Sequence, residues 1–245
     1  NNIDVFIITV PFAIGPGGRM PQGGHLPLYE ENWFEGCRVV AIAYDLIPKL
    51  FSDLYLRSSA VAENYERQHK QLQWVDHILS ISQCTKSDLV KYSQIPETRI
   101  TCIWGGFKES IGKIGIKDAD WAYLGEAYGI RPGFIMAPLG EDPRKNRLEL
   151  LKAYSALPLS LRLKHQLVIV CAMSKAGAEQ MQTMAKDLGC EETLVITDFV
   201  PDEVMNRLYN MAYLVAFPSQ YEGFGMPIVE GFACGTPVLT SANSS

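Results

Sequence analysis

The sequence predicts an α/β fold with two domains, each built on a parallel sheet that is covered by helices. The pattern is clearest in the second half, where short apolar runs of strand length are separated by segments typical of helices. Strands that alternate with helices at this spacing are typical of parallel, doubly wound sheets. The predicted strands of this half are residues 134–137, 167–171, 193–197, 213–217 and 237–240.

The helices of the second half are predicted from apolar periodicity and from residues that favour helix ends. Apolar residues repeat at helical spacing over residues 181–188, and a glycine directly after them is placed to end that helix. Asn146 is expected to cap another helix, with Glu149 three residues later as its capping-box partner. Pro227 suits the first turn of a last helix, which Gly235 is expected to end.

The first half shows the same alternation, so it is expected to form the other α/β domain. Its helices are predicted over roughly residues 60–79 and, with a cap, over residues 85–91. Strongly periodic apolar positions are few between residues 105 and 130, so we divide the chain into an N-terminal domain, residues 1–118, and a C-terminal domain, residues 119–245. Both domains are expected to be incomplete at the chain ends. The predicted strands are residues 5–11, 39–43, 78–82 and 100–104.

The composition indicates a folded protein and argues against some functions. Of the 245 residues, 47% are hydrophobic, which is enough to build a core. The formal net charge of -5 argues against an extended surface for nucleic acid. The six cysteines include no Cys-x-x-Cys pair, which favours reduced cysteines in a cytoplasmic protein. No apolar stretch approaches the ~20 residues that span a bilayer, while association with the inner face of a membrane stays open.

The strongest candidate site is the segment from Glu222 to Glu230, which follows a predicted strand and opens a predicted helix. In parallel α/β sheets, ligands bind where strands end and helices begin. Gly223 and Gly225 let a ligand approach the backbone closely, and a helix N-terminus favours an anion such as a diphosphate. The two carboxylates could accept hydrogen bonds from hexose and ribose hydroxyls. The spacing alone allows equally well an ordinary glycine-rich turn in which Glu230 stabilises the helix.

The same segment resembles the E-x7-E signature of glycosyltransferase family 4, whose members are retaining enzymes with two Rossmann-like domains in the GT-B architecture. The likeness extends over residues 218–221 before the segment and residues 233–238 after it. It implies that Glu222 holds the transferred sugar and that Glu230 holds the ribose of the donor. The residues that the resemblance places at the donor in this segment are Glu222, Gly223, Phe224, Gly225, Met226 and Glu230.

A second stretch, residues 140–146, resembles the Pro-Arg-Lys-Asn turn that follows the first strand of the family's C-terminal domain. The resemblance implies that Lys145 neutralises the donor diphosphate and that Arg144 assists it. Cations at this place would favour both the bound diphosphate and the charge that grows on it as it leaves. Relatives often carry a further arginine a few residues earlier, whereas residues 137–140 contain no basic residue. A solvated pair of charges before a helix is the alternative interpretation.

Residues 44–48 resemble a His-Asp-Leu-Ile-Pro segment found in many relatives, with Tyr44 in place of the histidine. In the family this position lies near the reacting sugar, so the resemblance implies catalytic positions for Tyr44 and Asp45, where the acceptor enters. A tyrosine hydroxyl is a weak base near neutral pH. A retaining transfer on one face of the sugar needs little help from such a base, because the departing phosphate can take the acceptor's proton. A packed aromatic ring at a strand end is the alternative for Tyr44.

Three further patterns carry less weight. Residues 78–89 resemble a helix start of the family's N-terminal domain, which we expect to be structural. Asp118 and Asp120 form the D-x-D string that binds metal in another glycosyltransferase fold, but they lie in the predicted linker, so we expect no metal site. Residues 15–19 are rich in glycine and could cradle a phosphate, as many loops of this composition could.

The resemblance therefore implies a retaining, metal-independent hexosyltransferase that uses a nucleoside-diphosphate sugar as donor substrate and no cofactor. A sugar, a lipid-linked glycan or a protein is expected as acceptor, in polysaccharide or glycoconjugate synthesis, and the oligomeric state stays open. Two alternatives stay open as well. One is a catalytically silent GT-B subunit that binds a partner, and the other is a GT-B sugar-nucleotide epimerase or phosphorylase.

Overall fold

A computed structural model describes residues 4–9 and 29–244, and it contains two compact α/β units. Unit 1 consists of the described residues up to Gly105, together with residues 221–224 and 244. Unit 2 consists of residues 106–220 and 225–243. The division predicted between residues 118 and 119 falls inside the first helix of unit 2, which begins at Asp118. The glycine-rich residues 15–19 lie outside the described part of the chain.

Unit 1 is built on a parallel sheet in which the described strands follow each other in the order β1-β2-β3-β4. Short 3-10 turns at Glu31–Phe34, Gln71–Gln73 and Glu97–Arg99 connect its elements. The strands are β1 (Val5–Ile8), β2 (Arg38–Ala43), β3 (His77–Ser80) and β4 (Ile100–Cys102), and the helices are α1 (Ile47–Leu50), α2 (Ser52–Tyr55), α3 (Ser59–Lys70) and α4 (Gln83–Ser93).

The helix predicted over residues 60–79 is wrong in its second half, because α3 ends at Lys70. The chain then turns through Gln71–Gln73 and enters β3, where Ile78 pairs with Ala41 of β2. Ile78 is fully buried in the sheet, and β3 overlaps the strand predicted over residues 78–82. The capped helix predicted next is confirmed, although the cap is Ser82, whose hydroxyl accepts from the Thr85 amide at 2.9 Å.

His69 is a buried imidazole of unit 1 whose protonation opposes folding. Its side chain is 5% exposed, and Nε2 lies 2.8 Å from the hydroxyl of Ser93. Burial lowers the pKa of His69 from 6.5 to about 4, helped by the Lys49 ammonium and opposed by Glu66. The unfolded chain thus takes up a proton at a higher pH than the folded chain does. The contribution of His69 to the free energy of unfolding is fully present above about pH 6.5. It is lost as the pH drops toward 4, which lowers stability by up to about 3 kcal/mol.

We expect His69→Gln to remove this part of the acid sensitivity. Urea unfolding followed by tryptophan fluorescence, between about pH 7 and pH 4, should show a smaller loss of stability in the variant than in the parent chain. His77→Gln is the matched control, because His77 is a less buried imidazole of the same unit that contacts the Thr101 hydroxyl at 2.9 Å. A loss of equal size in the parent chain and in His69→Gln would contradict the assignment.

Unit 2 is built on a second parallel sheet with helices on both faces, as predicted. Its strands lie close to the predicted positions, and two short 3-10 turns, Pro143–Lys145 and Glu191–Thr193, connect its elements. The strands are β5 (Ile135–Ala137), β6 (Leu167–Ile169), β7 (Leu194–Ile196), β8 (Leu214–Phe217) and β9 (Val238–Thr240), and the helices are α5 (Asp118–Tyr128), α6 (Arg147–Ser155), α7 (Leu159–Lys164), α8 (Lys175–Asp187), α9 (Asp202–Met211) and α10 (Met226–Cys234).

The two faces of this sheet bury two different cores because successive strand residues point to opposite sides. In β6, Val168 packs with Leu208 of α9 and Leu124 of α5 in one hydrophobic cluster. Its neighbours Leu167 and Ile169 pack with residues of α6 and α8 in another. Burial on both faces explains why β6 reads as a continuous apolar run rather than an alternating one.

In unit 2, two predicted helix ends are confirmed at glycines, and the helix cap predicted at Asn146 is wrong. Gly189 and Gly235 follow α8 and α10 with positive φ angles of 63° and 75°, as predicted for terminating glycines. Asn146 precedes α6 but has φ 64° and makes no side-chain capping bond, so the predicted capping box with Glu149 is wrong. Its amide instead closes the preceding 3-10 turn on Pro143 O at 3.0 Å, a left-handed position that asparagine tolerates.

The Asp118-Ala119-Asp120 string lies in the first turn of α5 rather than in a linker. Asp120 accepts from the Lys117 amide at 2.9 Å and pairs with the Arg207 guanidinium at 3.0 Å, so it stabilises the helix start. Within residues 4–9 and 29–244, no group of three or more His, Cys, Asp or Glu side chains is arranged to hold a metal ion. In the same part of the chain, no helix is both long and apolar enough to cross a membrane.

Candidate functional site

The sheet of unit 2 has a topological switch point between β5 and β8. Its strand order is β7-β6-β5-β8-β9, so the chain builds outward in one direction from β5 and then returns to the other side at β8. Ligands of open α/β sheets bind outside the carboxyl ends of the strands where the order reverses in this way. The loops that follow β5 and β8 are residues 138–146 and 218–225, and they contain most of the residues predicted at the donor.

Lys145 lies on the first of these loops, in a short turn that backbone bonds hold in place. Its amide donates to Asp142 O at 2.9 Å, and the Gln220 amide of the second loop donates to Arg144 O at 2.9 Å. The Lys145 ammonium lies 5.0 Å from the centroid of the Phe217 ring, the last residue of β8. The fold thus carries this cation over the carboxyl end of β8, at the switch point.

The Arg144 side chain is buried, whereas an arginine that binds phosphate from solvent would be exposed. Its side chain is 8% exposed, and the guanidinium pairs with the Asp142 carboxylate at 3.4 Å. Asp142 also accepts from the Arg144 amide at 3.0 Å, so the pair stabilises the turn that presents Lys145. A role of Arg144 in binding phosphate stays a prediction, and its buried ion pair with Asp142 is a structural contact.

The second loop leads into α10, whose N-terminus faces the same edge of the sheet. Gly225 has φ 84° and ψ 52°, a left-handed conformation that favours glycine and lets the chain enter the helix directly at Met226. Gly225, the N-cap residue, has no side chain with which to cap this end, and Pro227 lies in the first turn as predicted. Glu230, one turn further on, accepts from the buried Tyr209 hydroxyl at 2.6 Å. Gly225, Met226 and Glu230 therefore share one unit with Arg144 and Lys145.

The remaining predicted residues lie in unit 1, beginning with Tyr44 and Asp45 directly after β2. The Tyr44 side chain is an exposed one, with 46% of its surface accessible, so it is not the fully packed aromatic of the alternative interpretation. The Asp45 carboxylate accepts from the Ile47 amide at 2.8 Å and so stabilises the start of α1. Asp45 thus has a structural contact, and its catalytic role stays a prediction.

Residues 221–224 are packed against this part of unit 1. The Tyr221 hydroxyl donates to Asp88 Oδ2 at 2.7 Å and lies 3.0 Å from Cys84 Sγ. The Glu222 amide donates to the Ser244 hydroxyl at 2.9 Å. Around Gly105 there is no room for a Cβ, which would lie 2.5 Å from the Phe224 ring. The structure therefore brings Glu222, Gly223 and Phe224 together with Tyr44 and Asp45.

Thr85 and Asp88, which the sequence predicts to belong only to a structural helix start, contact this segment. The Thr85 hydroxyl lies 2.9 Å from Tyr44 O and 3.3 Å from Gly223 O, so it bridges the two backbones. Burial raises the pKa of Asp88, and the Tyr221 hydrogen bond acts in the opposite direction. The motif that resembles the family's helix start contains both residues, but only their positions on α4 show which backbones and side chains they contact.

Comparison with protein families and curated proteins shows similarity to glycosyltransferases. Residues 141–245 match the family described as "Glycosyl transferases group 1". The serotype-specific mannosyltransferase WbdA of Escherichia coli is 30% identical over 205 residues, which are 83% of this chain and 25% of that protein. The O-antigen chain mannosyltransferase B of Escherichia coli is 29% identical over 175 residues, 71% of this chain and 45% of that protein. The chain thus spans about a quarter to a half of the length of these relatives.

Solved structures show the same fold at lower identity. The glycosyltransferase WaaG, involved in lipopolysaccharide biosynthesis, has a TM-score of 0.69 at 19% identity over 84% of this chain and 60% of its own. Anabaena HepE, in complex with UDP and glucose, has a TM-score of 0.68 at 19% identity over 85% of this chain and 54% of its own. These comparisons match residues 141–245 to the group 1 glycosyl transferases and confirm the predicted fold class of two Rossmann-like domains of the GT-B type.

Proposed function

We propose that the chain is part of a retaining glycosyltransferase that moves a hexose from a nucleoside-diphosphate sugar to a sugar, lipid-linked or protein acceptor. The names of the similar mannosyltransferases favour mannose as the hexose and O-antigen or a related polysaccharide as the product. The observation that carries the proposal is the switch point of unit 2. There Lys145, on the loop after β5, and the N-terminus of α10, after β8, supply positive charge at one edge of the sheet.

In this proposal the charged residues predicted at the donor have separate tasks. Lys145 and the positive end of the α10 dipole neutralise the diphosphate, which makes a metal ion unnecessary for the step. Glu230 accepts hydrogen bonds from the ribose, and Glu222 with its neighbouring glycines holds the hydroxyls of the transferred sugar. Arg144, through Asp142, keeps the Lys145 turn in place.

The proposed transfer takes place on one face of the sugar. The bond between the anomeric carbon and the diphosphate oxygen breaks as the acceptor oxygen forms its bond to the same face, and the departing phosphate takes the acceptor's proton. Tyr44 contributes a hydrogen-bonding hydroxyl near the acceptor and need not act as a base. The positive charge that stays close to the leaving diphosphate stabilises the charge that develops on it.

A panel of nucleotides tests the proposal by thermal stabilisation of the chain. GDP-mannose, UDP-glucose, GDP, UDP and the free nucleosides are compared, since a ligand at 100 times its Kd adds ~2.7 kcal/mol to stability. We expect Lys145→Ala to raise the Kd for nucleoside diphosphates about 10- to 100-fold. The weak binding of free nucleosides should stay unchanged. Lys152→Ala is the matched control, because Lys152 is an exposed lysine of α6 that pairs with Glu149 at 2.6 Å.

The panel also separates the competing interpretations. Stabilisation by a sugar nucleotide together with transfer to an acceptor supports the proposal, whereas binding without any turnover favours a silent subunit. Conversion of one free sugar nucleotide into another favours an epimerase. The absence of stabilisation by every nucleotide would overturn the proposed donor site.

A further inference from the structure

A buried tyrosine of unit 2 contacts the carboxylate that the proposed function assigns to the ribose. Tyr209 lies on α9 and is 1% exposed, inside the hydrophobic cluster that includes Leu208 and Val215. Its hydroxyl donates to Glu230 Oε2 on α10 at 2.6 Å. A phenol in a packed core has a fixed direction, so this hydrogen bond ties the half-buried Glu230 carboxylate to a rigid group.

The helix that carries Glu230 is itself fixed against α9 and the sheet. The Thr236 hydroxyl donates to Tyr209 O at 2.6 Å, and the Thr236 amide donates to Gly231 O at 2.9 Å. A Cβ on Gly231 would lie 2.7 Å from Cγ2 of Val238, so α10 approaches the sheet closely beside Glu230. The hydrogen bond from Tyr209 therefore decides the orientation of one side chain and is not needed to hold the helix in place.

The chemistry of the pair leaves the carboxylate able to bind a diol. Burial and the nearby Glu230 carboxylate raise the pKa of Tyr209 well above its usual value, so its hydroxyl stays a donor. Among residues 4–9 and 29–244, the Glu230 carboxylate makes no other hydrogen bond. A carboxylate has about four acceptor positions, and the tyrosine uses one of them. Oε1 and the second lone pair of Oε2 can then accept from two adjacent hydroxyls, as a ribose presents them.

We propose that Tyr209 is a positioning residue that orients Glu230 toward the ribose hydroxyls of the donor nucleotide. This inference rests on the proposed function, because it assigns the ligand of Glu230 from that function. A carboxylate that is oriented before binding lowers the entropic cost of binding the nucleotide. Loss of the tyrosine hydroxyl therefore weakens binding without removing any group that touches the ligand.

Tyr209→Phe tests the inference, with binding of GDP and UDP and of their 2′-deoxy forms measured by calorimetry on the 245-residue chain. We expect the Kd of the preferred ribonucleotide to rise about 10-fold and the Kd of its 2′-deoxy form to change much less, so that discrimination between the two shrinks. In a sugar-transfer assay the KM for the donor should rise while kcat changes little. An unchanged ratio between the ribo and 2′-deoxy forms would overturn the inference.

Tyr154→Phe is the matched control for lost stability. Tyr154 is another buried tyrosine of unit 2, and its hydroxyl donates to His165 O at 2.9 Å and lies 3.2 Å from Thr193 O. It belongs to the other hydrophobic cluster of the sheet, so its variant should keep the discrimination between ribo and 2′-deoxy nucleotides. A control variant that loses this discrimination as Tyr209→Phe does would show a structural effect and overturn the inference.

A measurement without nucleotide separates this inference from the proposed function. In a chain labelled with ¹³C at glutamate carboxyl carbons, Tyr209→Phe should shift the signal of Glu230, while Tyr154→Phe should not. If the parent chain binds no nucleotide, the proposed function fails, and the Glu230 signal still decides whether Tyr209 holds that carboxylate. An unmoved Glu230 signal would overturn the positioning role whatever the binding data show.

Discussion

Glu222→Gln is expected to lower sugar transfer by about 100- to 1000-fold while leaving the chain folded. In the proposed function this carboxylate accepts hydrogen bonds from the transferred sugar, and an amide of the same size is a weaker acceptor without charge. The backbone at this position is held by groups that the substitution leaves intact. They are the Ser244 hydroxyl, 2.9 Å from the Glu222 amide, and the bond from Tyr221 to Asp88 at 2.7 Å.

The measurement is the initial rate of transfer from the donor that stabilises the parent chain most, alongside thermal unfolding of each variant. Glu149→Gln is the matched control, since Glu149 is an exposed glutamate of α6 that pairs with Lys152. We expect the control to keep parental activity and both variants to unfold close to the parent. Full activity in Glu222→Gln would show that the carboxylate is not needed and would remove it from the site.

Gly223→Ala is expected to lower transfer about 100-fold through displacement of the loop, because a misplacement of about 1 Å has effects of this size. A Cβ at Gly223 would lie 2.5 Å from Tyr44 O and 3.0 Å from Cβ of Asp45. The first of these is a backbone atom that cannot turn away. The Thr85 hydroxyl holds the same two backbones, at 2.9 Å from Tyr44 O and 3.3 Å from Gly223 O. The added methyl group must therefore move residues 222–224 away from β2.

Gly106→Ala provides the control for this change. A Cβ at Gly106 meets no heavy atom within 4 Å, and no positive φ angle is recorded for this residue. We expect the control to keep activity and stability, and Gly223→Ala to lose activity together with about 1–3 kcal/mol of stability. Parental activity and an unchanged melting temperature in Gly223→Ala would show that the close approach of Gly223 to Tyr44 is not needed for activity or stability.

The sequence carried enough local information to place the sheets and to find the candidate site. Strands buried on both faces are continuous apolar runs, as β6 is, and helices that end on a left-handed residue are followed by glycine, as at Gly189 and Gly235. The segment from Glu222 to Glu230 was identified because its glycines, its following helix and its family resemblance all lie within a few residues. These features depend on neighbours in the chain, so the sequence reveals them directly.

Where local signals competed with tertiary contacts, the tertiary contacts prevailed. Residues 71–79 continue a helical pattern, but β3 is needed beside β2, and α3 stops at Lys70. Asn146 is a good capping residue in isolation, yet the turn before it requires a left-handed residue. Arg144 is predicted to assist Lys145 at the diphosphate, with a solvated charge as the alternative, and the fold buries its side chain against Asp142. In each case the free energy of packing or pairing exceeds a local preference of ~1 kcal/mol or less.

By itself, the sequence determined the α/β class, the parallel strands and the chemical character of the segment from Glu222 to Glu230, because periodicity and turn residues act over a few positions. Only the tertiary structure decided which groups hold that segment. Tyr209 and Glu230 are 21 residues apart, and Tyr221 and Asp88 are 133 residues apart. Such pairs form because the tertiary fold brings together loops and helices that are distant in the sequence. A hydrogen bond at that range leaves no periodic pattern in the sequence from which it could be predicted.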